Sequence, residues 1–443
     1  MSRQTLSTLN NLLSRRAAGI ILFAAFLMLW AATAKAYTQS WQVQSRMATV
    51  QTLVEQGTFA IDHTLFNNTG DKIFVNGHFY SDKTPILSVA AAGAYAILHD
   101  VFGLVLDPAF CLPDDDPMAC RAFGGGEPRP TALYWLTVLY MGVPSALLIY
   151  LFWREMIARH TGGVMAAGLA VLLGIASPIA PYSTVFSGHI PAALCLFVGF
   201  VLLTRPATRA RLFWAGAWIG LAANIDLLLT LLVVAFGMWV LAERRSFLAV
   251  FVAGAVIPYA VTSAINYVAV GSIVPMYLDP KAYDFPGAVL HKTPGGTDGF
   301  YSLEFGLRYA VDMFVGRRGV FAFTPLLLYA LAGMWIAARD RRSMRGLAIA
   351  ALAGSLAFTA YLIARTDNFG GLAWSTRWFV PLAPMLWFYM PFALERRHGR
   401  AWWAVFAAAA ILSVWSVPMG LHDAWQDFRP ILRLETTAID YPE

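Results

Sequence analysis

The chain has 443 residues, 58% of them hydrophobic and only 13% charged, with a mean hydropathy of +0.58 and a net charge of +6. That balance excludes an ordinary soluble domain. Its arginines stand in short connectors between apolar runs, with no basic tract interleaved with aromatics, which excludes nucleic acid as a partner. Three cysteines are too few for a disulfide framework or a zinc site.

Several apolar runs reach the ~18–24 residues needed to cross a ~30 Å hydrocarbon core. The expected fold is therefore an all-α polytopic membrane protein, a single integral-membrane unit over residues 1–443. Residues 1–16 are polar, with Arg3, Arg15 and Arg16 just before the apolar run 17–34. Ala34-Lys35-Ala36 resembles a signal-peptidase site, but the run is long for a signal core and long enough for a span. A retained first helix with a cytoplasmic N-terminus is favoured. The loop after it then lies outside the cytoplasm.

That loop, 37–130, is the polar stretch around which the chain is organised. It carries Gly57-Thr-Phe-Ala-Ile-Asp62, Asp71-Lys72 and Gly77-His78-Phe79-Tyr80-Ser81-Asp82-Lys83-Thr84-Pro85. In a chain so poor in charge, such a cluster suggests the active-site loop of a membrane enzyme. Asp82 beside Lys83, with His78 and Tyr80, could orient an acceptor hydroxyl and hold a phosphate. The plainer alternative is an ion pair capping an interfacial helix. Asp62 is a candidate general base or a turn residue. Asp71-Lys72 reads as a solvated turn. Cys111 and Cys120 flank an acidic loop, where a disulfide and two free thiols both remain open.

Segment 84–105 is apolar but ends in His99 and Asp100. Arginine placement decides its course. If it does not cross, the later spans fall near 131–153, 163–180, 190–204, 211–224, 226–242, 247–270, 320–338, 346–364, 378–394 and 401–419. The inside loops then carry Arg154 and Arg159, Arg205 to Arg211, Arg244 and Arg245, Arg339 to Arg345, and Arg396 to Arg400, as the positive-inside bias requires. Segment 84–105 is thus expected to lie along the outer surface as an interfacial helix. About eleven spans result, with the C-terminal tail outside.

The polar segments then share one face. His189 closes Tyr182-Ser-Thr-Val-Phe-Ser-Gly188 at the mouth of a span and is either a structural histidine or a substrate contact. Asp226 breaks two apolar runs, and an ionisable residue there is a functional candidate by default, or else a turn at the membrane surface. The second large outer loop, 271–319, ends in Gly316-Arg317-Arg318-Gly319. Two outer arginines call for compensation, from a bound diphosphate or lipid phosphate or from ordinary headgroups. In Arg365-Thr-Asp367-Asn-Phe-Gly-Gly371-Leu-Ala-Trp374-Ser-Thr-Arg377, Asp367 could pair with either arginine. Trp374 could stack on a sugar, and the glycines would admit a ligand close to the backbone. No nucleotide-binding or hydrolase motif occurs, so an activated substrate would come from the lipid phase.

This layout resembles the GT-C superfamily of integral-membrane glycosyltransferases, particularly the bacterial branch similar to protein mannosyltransferases and aminoarabinose transferases. The matching segments are Phe79-Tyr80-Ser81-Asp82-Lys83-Thr84-Pro85, Arg46 with the stretch behind it, the Tyr182 to His189 turn, Gly316-Arg317-Arg318-Gly319-Val-Phe, and Gly370-Gly371 through Trp374 to Arg377-Trp-Phe-Val-Pro381. The resemblance implies eleven to thirteen spans, interfacial helices in the first outer loop, and a polyprenyl-phosphate sugar as donor. One departure stands out. The family usually carries an acid just past the first span, and here that place reads Trp41-Gln-Val-Gln-Ser-Arg46.

On that basis the expected function is sugar transfer, a pentose such as arabinofuranose being one option, to a hydroxyl of a glycan, lipid or protein. The expected location is the periplasmic face of a bacterial inner membrane. Asp62 or Asp82 would be the base. Lys83, Tyr80, His78, Arg317, Arg318 and Arg377 would hold the donor phosphate, and His189, Asp226, Asp367 and Trp374 the substrate. In the family the acid past the first span acts as base or metal ligand, so the resemblance leaves a divalent metal open, and membrane lipids are implied partners. The rivals are a transporter or flippase, which should show mid-span polar groups and an inverted repeat, and a non-catalytic assembly partner.

Overall fold

The computed structural model describes residues 3–36, 38, 40–106, 131–159, 161–288, 303–340, 344–366, 369–395, 399–426 and 428. The Cys111–Cys120 loop, Asp367, Arg341, Arg342, Arg396, Arg397 and the C-terminal tail from 429 lie outside the described residues.

The helices, in chain order, are α1 (Arg3–Leu13), α2 (Arg16–Thr33), α3 (Trp41–Glu55), α4 (Pro85–Phe102), α5 (Ala132–Ala158), α6 (Gly163–Ile175), α7 (His189–Leu203), α8 (Arg209–Ile225), α9 (Thr230–Glu243), α10 (Leu248–Val270), α11 (Leu303–Phe314), α12 (Leu327–Arg339), α13 (Arg345–Arg365) and α14 (Arg400–His422). Among the described residues, six helical stretches are long and apolar enough to cross a membrane: Arg16–Thr33, Pro85–Phe102, Ala132–Ala158, Arg245–Val270, Arg345–Arg365 and Arg400–His422. Four shorter apolar helices, Gly163–Ile175, His189–Leu203, Leu227–Glu243 and Leu327–Arg339, complete an all-helical membrane bundle. α4 is among the six by length and composition alone, and Tyr95 ties it to α3.

Packing follows residue size. α8 and α10 approach closely because Gly216 and Gly254 face the other helix's backbone. A methyl group on Gly216 would lie 2.0 Å from the Phe251 carbonyl oxygen, and one on Gly254 2.0 Å from that of Phe213. Small residues at a membrane-helix contact allow such approach. α7 lies against α8, and α9 against α13.

Two expected spans are broken. The 378–394 run becomes a 3-10 turn, Arg377–Leu382, followed by the short helices Ala383–Trp387 and Met390–Leu394. Pro381, Pro384 and Pro391 remove amide donors there, and the segment is buried among its neighbours, from Phe379 to Pro391 throughout. The 320–338 run starts as a single turn, Val320–Phe323, and becomes α12 only after Pro325. The polar N-terminus folds as α1, docked by Asn10 Oδ1 accepting from the Val164 amide at 2.9 Å.

A two-stranded antiparallel hairpin interrupts the first polar loop. Strand β1 (Lys72–Val75) pairs with β2 (His78–Ser81), with Ile73 opposite Tyr80 and Phe74 opposite Phe79. Asn76 and Gly77 both have positive φ, 51° and 87°, as a two-residue type I′ turn requires.

Candidate active site

Helix α3 supplies the floor of the site. Ser40 caps it, its hydroxyl accepting from the Gln42 amide at 3.3 Å. Although rich in polar side chains, α3 is buried from Gln42 to Thr52. Burying polar groups is costly unless they are bonded, and most here are. Gln44 Nε2 donates to the Thr38 carbonyl at 3.1 Å, Ser45 bonds Ser81 at 2.6 Å, and Thr64 donates to Gln51 Oε1 at 2.6 Å. Tyr95 of α4 donates to Glu55 at 2.6 Å and ties the two helices together.

The hairpin brings Asp71 and Asp82 to the same ammonium group. Lys83 Nζ lies 2.7 Å from Asp71 and 3.0 Å from Asp82. Burial alone would lower the Lys83 pKa, but the charges and hydrogen bonds of both carboxylates outweigh it and hold the ammonium above the usual lysine value. Beside this trio, Arg46 projects from α3 and donates to the Thr84 carbonyl at 3.2 Å. Burial draws its guanidinium below the usual arginine range, while Asp82, Asp226 and Asp71 pull it back up. Arg377 donates to Gln42 Oε1 at 3.0 Å and stacks over Trp425 at 5.1 Å. It too is lowered by burial and opposed by Tyr182, Asp71 and Asp226.

The third component comes from two helix breaks. α8 ends at Ile225, and Asp226 leaves the helix with φ −129°, ψ 100° before a 3-10 turn, Leu227–Leu229. α7 begins at His189, whose Nδ1 lies 3.2 Å from Asp226 Oδ2. The Tyr182 ring meets the His189 ring edge-on at 5.7 Å. Gly188 lets Arg46 and Ile225 come close, because a methyl group there would stand 3.3 Å from Arg46 Nη2 and 3.1 Å from Ile225 Cγ2. Three buried nitrogens at this place have no hydrogen-bond partner: Arg46 Nε, Arg377 Nε and His189 Nε2.

A groove runs beside the cluster. Ile265, Asn266, Ala269 and Val270 of α10 line it together with Tyr80, Lys83 and Pro85. It joins an apolar helix face to the Lys83 ammonium.

The structure therefore gathers Asp82, Lys83, Arg377, His189 and Asp226 from the expected set. Arg46, Asp71 and Gln42 join them. Asp71 was expected in a solvated turn, yet it is buried and ion-paired, because the hairpin folds Asp82-Lys83 back onto it. Asp62 lies elsewhere. It accepts from the Phe79 amide and faces His78 Nδ1, both at 3.1 Å, at the hairpin's outer end. Tyr80 lines the groove, and His78 is exposed. Arg318 is buried and donates to the Ala373 carbonyl, tying two loops together, whereas Arg317 is exposed. The Trp374 indole is fully buried edge-on to Phe323 and donates to the Ser416 carbonyl at 3.1 Å. It presents no face for a sugar, so its role here is packing. Among the described residues, no three His, Cys, Asp or Glu side chains converge as metal ligands. Asp71 and Asp82 instead share the Lys83 ammonium group.

No protein-family model matches the chain, and no curated protein matches it in sequence. Solved structures do resemble it. ArnT from Cupriavidus metallidurans bound to undecaprenyl phosphate superposes with a TM-score of 0.52 at 18% identity, over 90% of this chain. The same protein in the apo state gives 0.49 at 16% identity, over 92% of this chain and 76% of ArnT. The chain spans 64% of the length of the lipid-bound ArnT structure. The likeness shows the fold: this chain shares the helical membrane architecture of that ArnT structure.

Proposed function

We propose that this protein transfers a sugar from a polyprenyl-phosphate donor to an acceptor hydroxyl, on the periplasmic face of a bacterial inner membrane. The observation that carries this reading is the meeting of Lys83, Arg46 and Arg377 in a buried cluster beside a groove walled by an apolar helix. A lipid-linked phosphate has the matching chemistry, with an apolar tail for the groove and anionic oxygens for cations in a desolvated place. The fold is shared with a protein crystallised with undecaprenyl phosphate, which supports the same assignment.

In the proposed reaction the acceptor oxygen attacks the anomeric carbon as the bond to the donor phosphate breaks. Negative charge grows on the departing phosphate, and preorganised cations stabilise it most where water is excluded. Asp71 and Asp82 keep Lys83 charged and aimed, while the free Nε–H groups of Arg46 and Arg377 offer further donors. Tyr80 lines the donor's approach. A pentose is one sugar the site would be tried with first, among pentoses and hexoses.

The test is radiolabel transfer from a panel of polyprenyl-phosphate sugars by purified protein, to membrane glycans, lipids and proteins or to water. Consumption of one donor with release of polyprenyl phosphate is expected. A protein that binds undecaprenyl phosphate yet consumes no donor would refute the reading and put transport first.

A further inference from the structure

We propose that His189, oriented by Asp226, is the group that takes the proton from the acceptor hydroxyl, in place of the acid missing after the first span; this rests on the transferase reading above. The nearby carboxylates are already committed. Asp71 and Asp82 are both ion-paired to Lys83 at 3.0 Å or less. Asp62 is engaged with the Phe79 amide and His78 at the hairpin. The stretch Trp41–Arg46 offers only Gln42 and Gln44, which bond Arg377 and the Thr38 carbonyl.

His189 differs from all of these. An ionised carboxylate only accepts hydrogen bonds, so facing Asp226 Oδ2 at 3.2 Å fixes the proton of the neutral ring on Nδ1. The lone pair is then on Nε2, and that atom is buried without a partner, while the residue as a whole is 4% exposed. A buried acceptor left empty is uncommon and calls for an explanation. An acceptor hydroxyl would supply the missing donor.

The ring's charged and titratable neighbours come from four directions. Asp226 follows α8, Arg46 belongs to α3, Arg377 to the 3-10 turn, and Tyr182 to the turn before α7. Base and phosphate-binding cations thus surround one place, as a displacement at a carbon between them needs. In the step, the hydroxyl proton passes to Nε2 as the oxygen–carbon bond forms. The bond from carbon to phosphate oxygen breaks, and its electron pair leaves with the polyprenyl phosphate. The imidazolium then returns its proton to water.

The experiment compares wild type, His189→Gln and Asp226→Asn in the donor assay across a pH series, with undecaprenyl phosphate affinity measured separately. General-base loss should lower kcat roughly 10²–10⁴-fold in His189→Gln, with affinity for undecaprenyl phosphate unchanged. The acid limb of kcat/KM should disappear with it. Asp226→Asn keeps a hydrogen-bonding side chain but favours the opposite tautomer, so it should fold normally and lose a comparable factor. An active His189→Gln that retains the acid limb, or one whose loss follows weakened affinity, would overturn the dyad and leave the transferase reading standing. A wild type that binds undecaprenyl phosphate but transfers nothing would remove both.

Discussion

Helix α7 has a buried charged group at each end, and the two are built differently. At one end stands His189 with Asp226, next to Arg46 and the Asp71–Lys83–Asp82 trio. At the other, Glu155 is 1% exposed and both its oxygens lie 2.6 Å from Arg205 Nη2. Arg244 donates to the Arg205 carbonyl, while Arg159 stacks over Phe388 at 4.5 Å. The Glu155 end pairs one carboxylate with Arg205, while Arg159 and Arg244 stack on Phe388 and Trp239. The His189 end mixes acids, cations and an imidazole, and its unpartnered atoms include the imidazole Nε2, whereas those at the Glu155 end, Arg159 Nε and Arg244 Nη1, belong to guanidinium groups. The same residue types thus form a carboxylate–arginine clamp in one place and a mixed acid–cation–imidazole cluster in the other.

The comparison breaks or holds on paired substitutions. Lys83→Met should cut sugar transfer by roughly 10²–10³, the loss usual for one preorganised donor at a developing anion. Arg205→Met should leave kcat unchanged. It strands buried Glu155, so stability should fall by about 2–3 kcal/mol, less than the ~3–5 for breaking a fully buried pair, because Arg205 is 38% exposed. Denaturant unfolding in detergent beside the transfer assay separates the two effects. Equal losses of activity in both variants would end the distinction.

A smaller effect tests whether Arg377 is held in place by the backbone. Gly370 has φ +90°, and a methyl group there would lie 2.5 Å from Arg377 Nε. Gly370→Ala should therefore displace the guanidinium and weaken undecaprenyl phosphate binding by roughly 10-fold, about the worth of one charged hydrogen bond. Unchanged affinity in a folded variant would place Arg377 outside the phosphate site.

The ion-paired trio makes a prediction about pH. The folded state raises the Lys83 pKa, so the pairing is fully present below the ordinary lysine value. It is lost only as pH rises through the higher folded value. Lys83 should resist amine-reactive labelling at pH values where exposed lysines react. Asp71→Asn removes one of two opposing carboxylates and should make Lys83 label faster. Equal labelling of the two proteins would mean that Asp71 does not hold the proton.

The membrane bundle was legible because bilayer thickness sets span length, and apolar runs show it directly. The breaks at His189 and Asp226 were legible too, since a charged residue between apolar runs is costly unless paired. Arg46 was visible only through a family resemblance. It lies on a polar helix that the fold buries, and nothing local announces such burial. Asp71 follows Gly70 and looks like a turn until the hairpin folds Lys83 onto it. Asn76-Gly77 between Ile73-Phe-Val and Phe79-Tyr was the available hairpin signal. The prolines at 381, 384 and 391 likewise announced a broken segment where a straight span was expected. Trp374 faces inward because Phe323 and the Ser416 carbonyl receive it, and both are far away in sequence.

The smallest expected effect concerns Asp62, which sequence alone ranked beside Asp82 as a base. Its carboxylate accepts from the Phe79 amide and faces His78, which fixes the hairpin that carries Tyr80 and Lys83. Asp62→Asn keeps one oxygen for the amide and loses the charge, so it should cost about 1–2 kcal/mol of local stability. Transfer should fall less than roughly 10-fold, below the ~10²–10⁴ expected for a general base. The acid limb of the pH profile should persist. A loss of several orders of magnitude, with undecaprenyl phosphate still bound, would move the proton-accepting group from the helix break to the hairpin. The unpartnered His189 Nε2 would then need an occupant other than the acceptor.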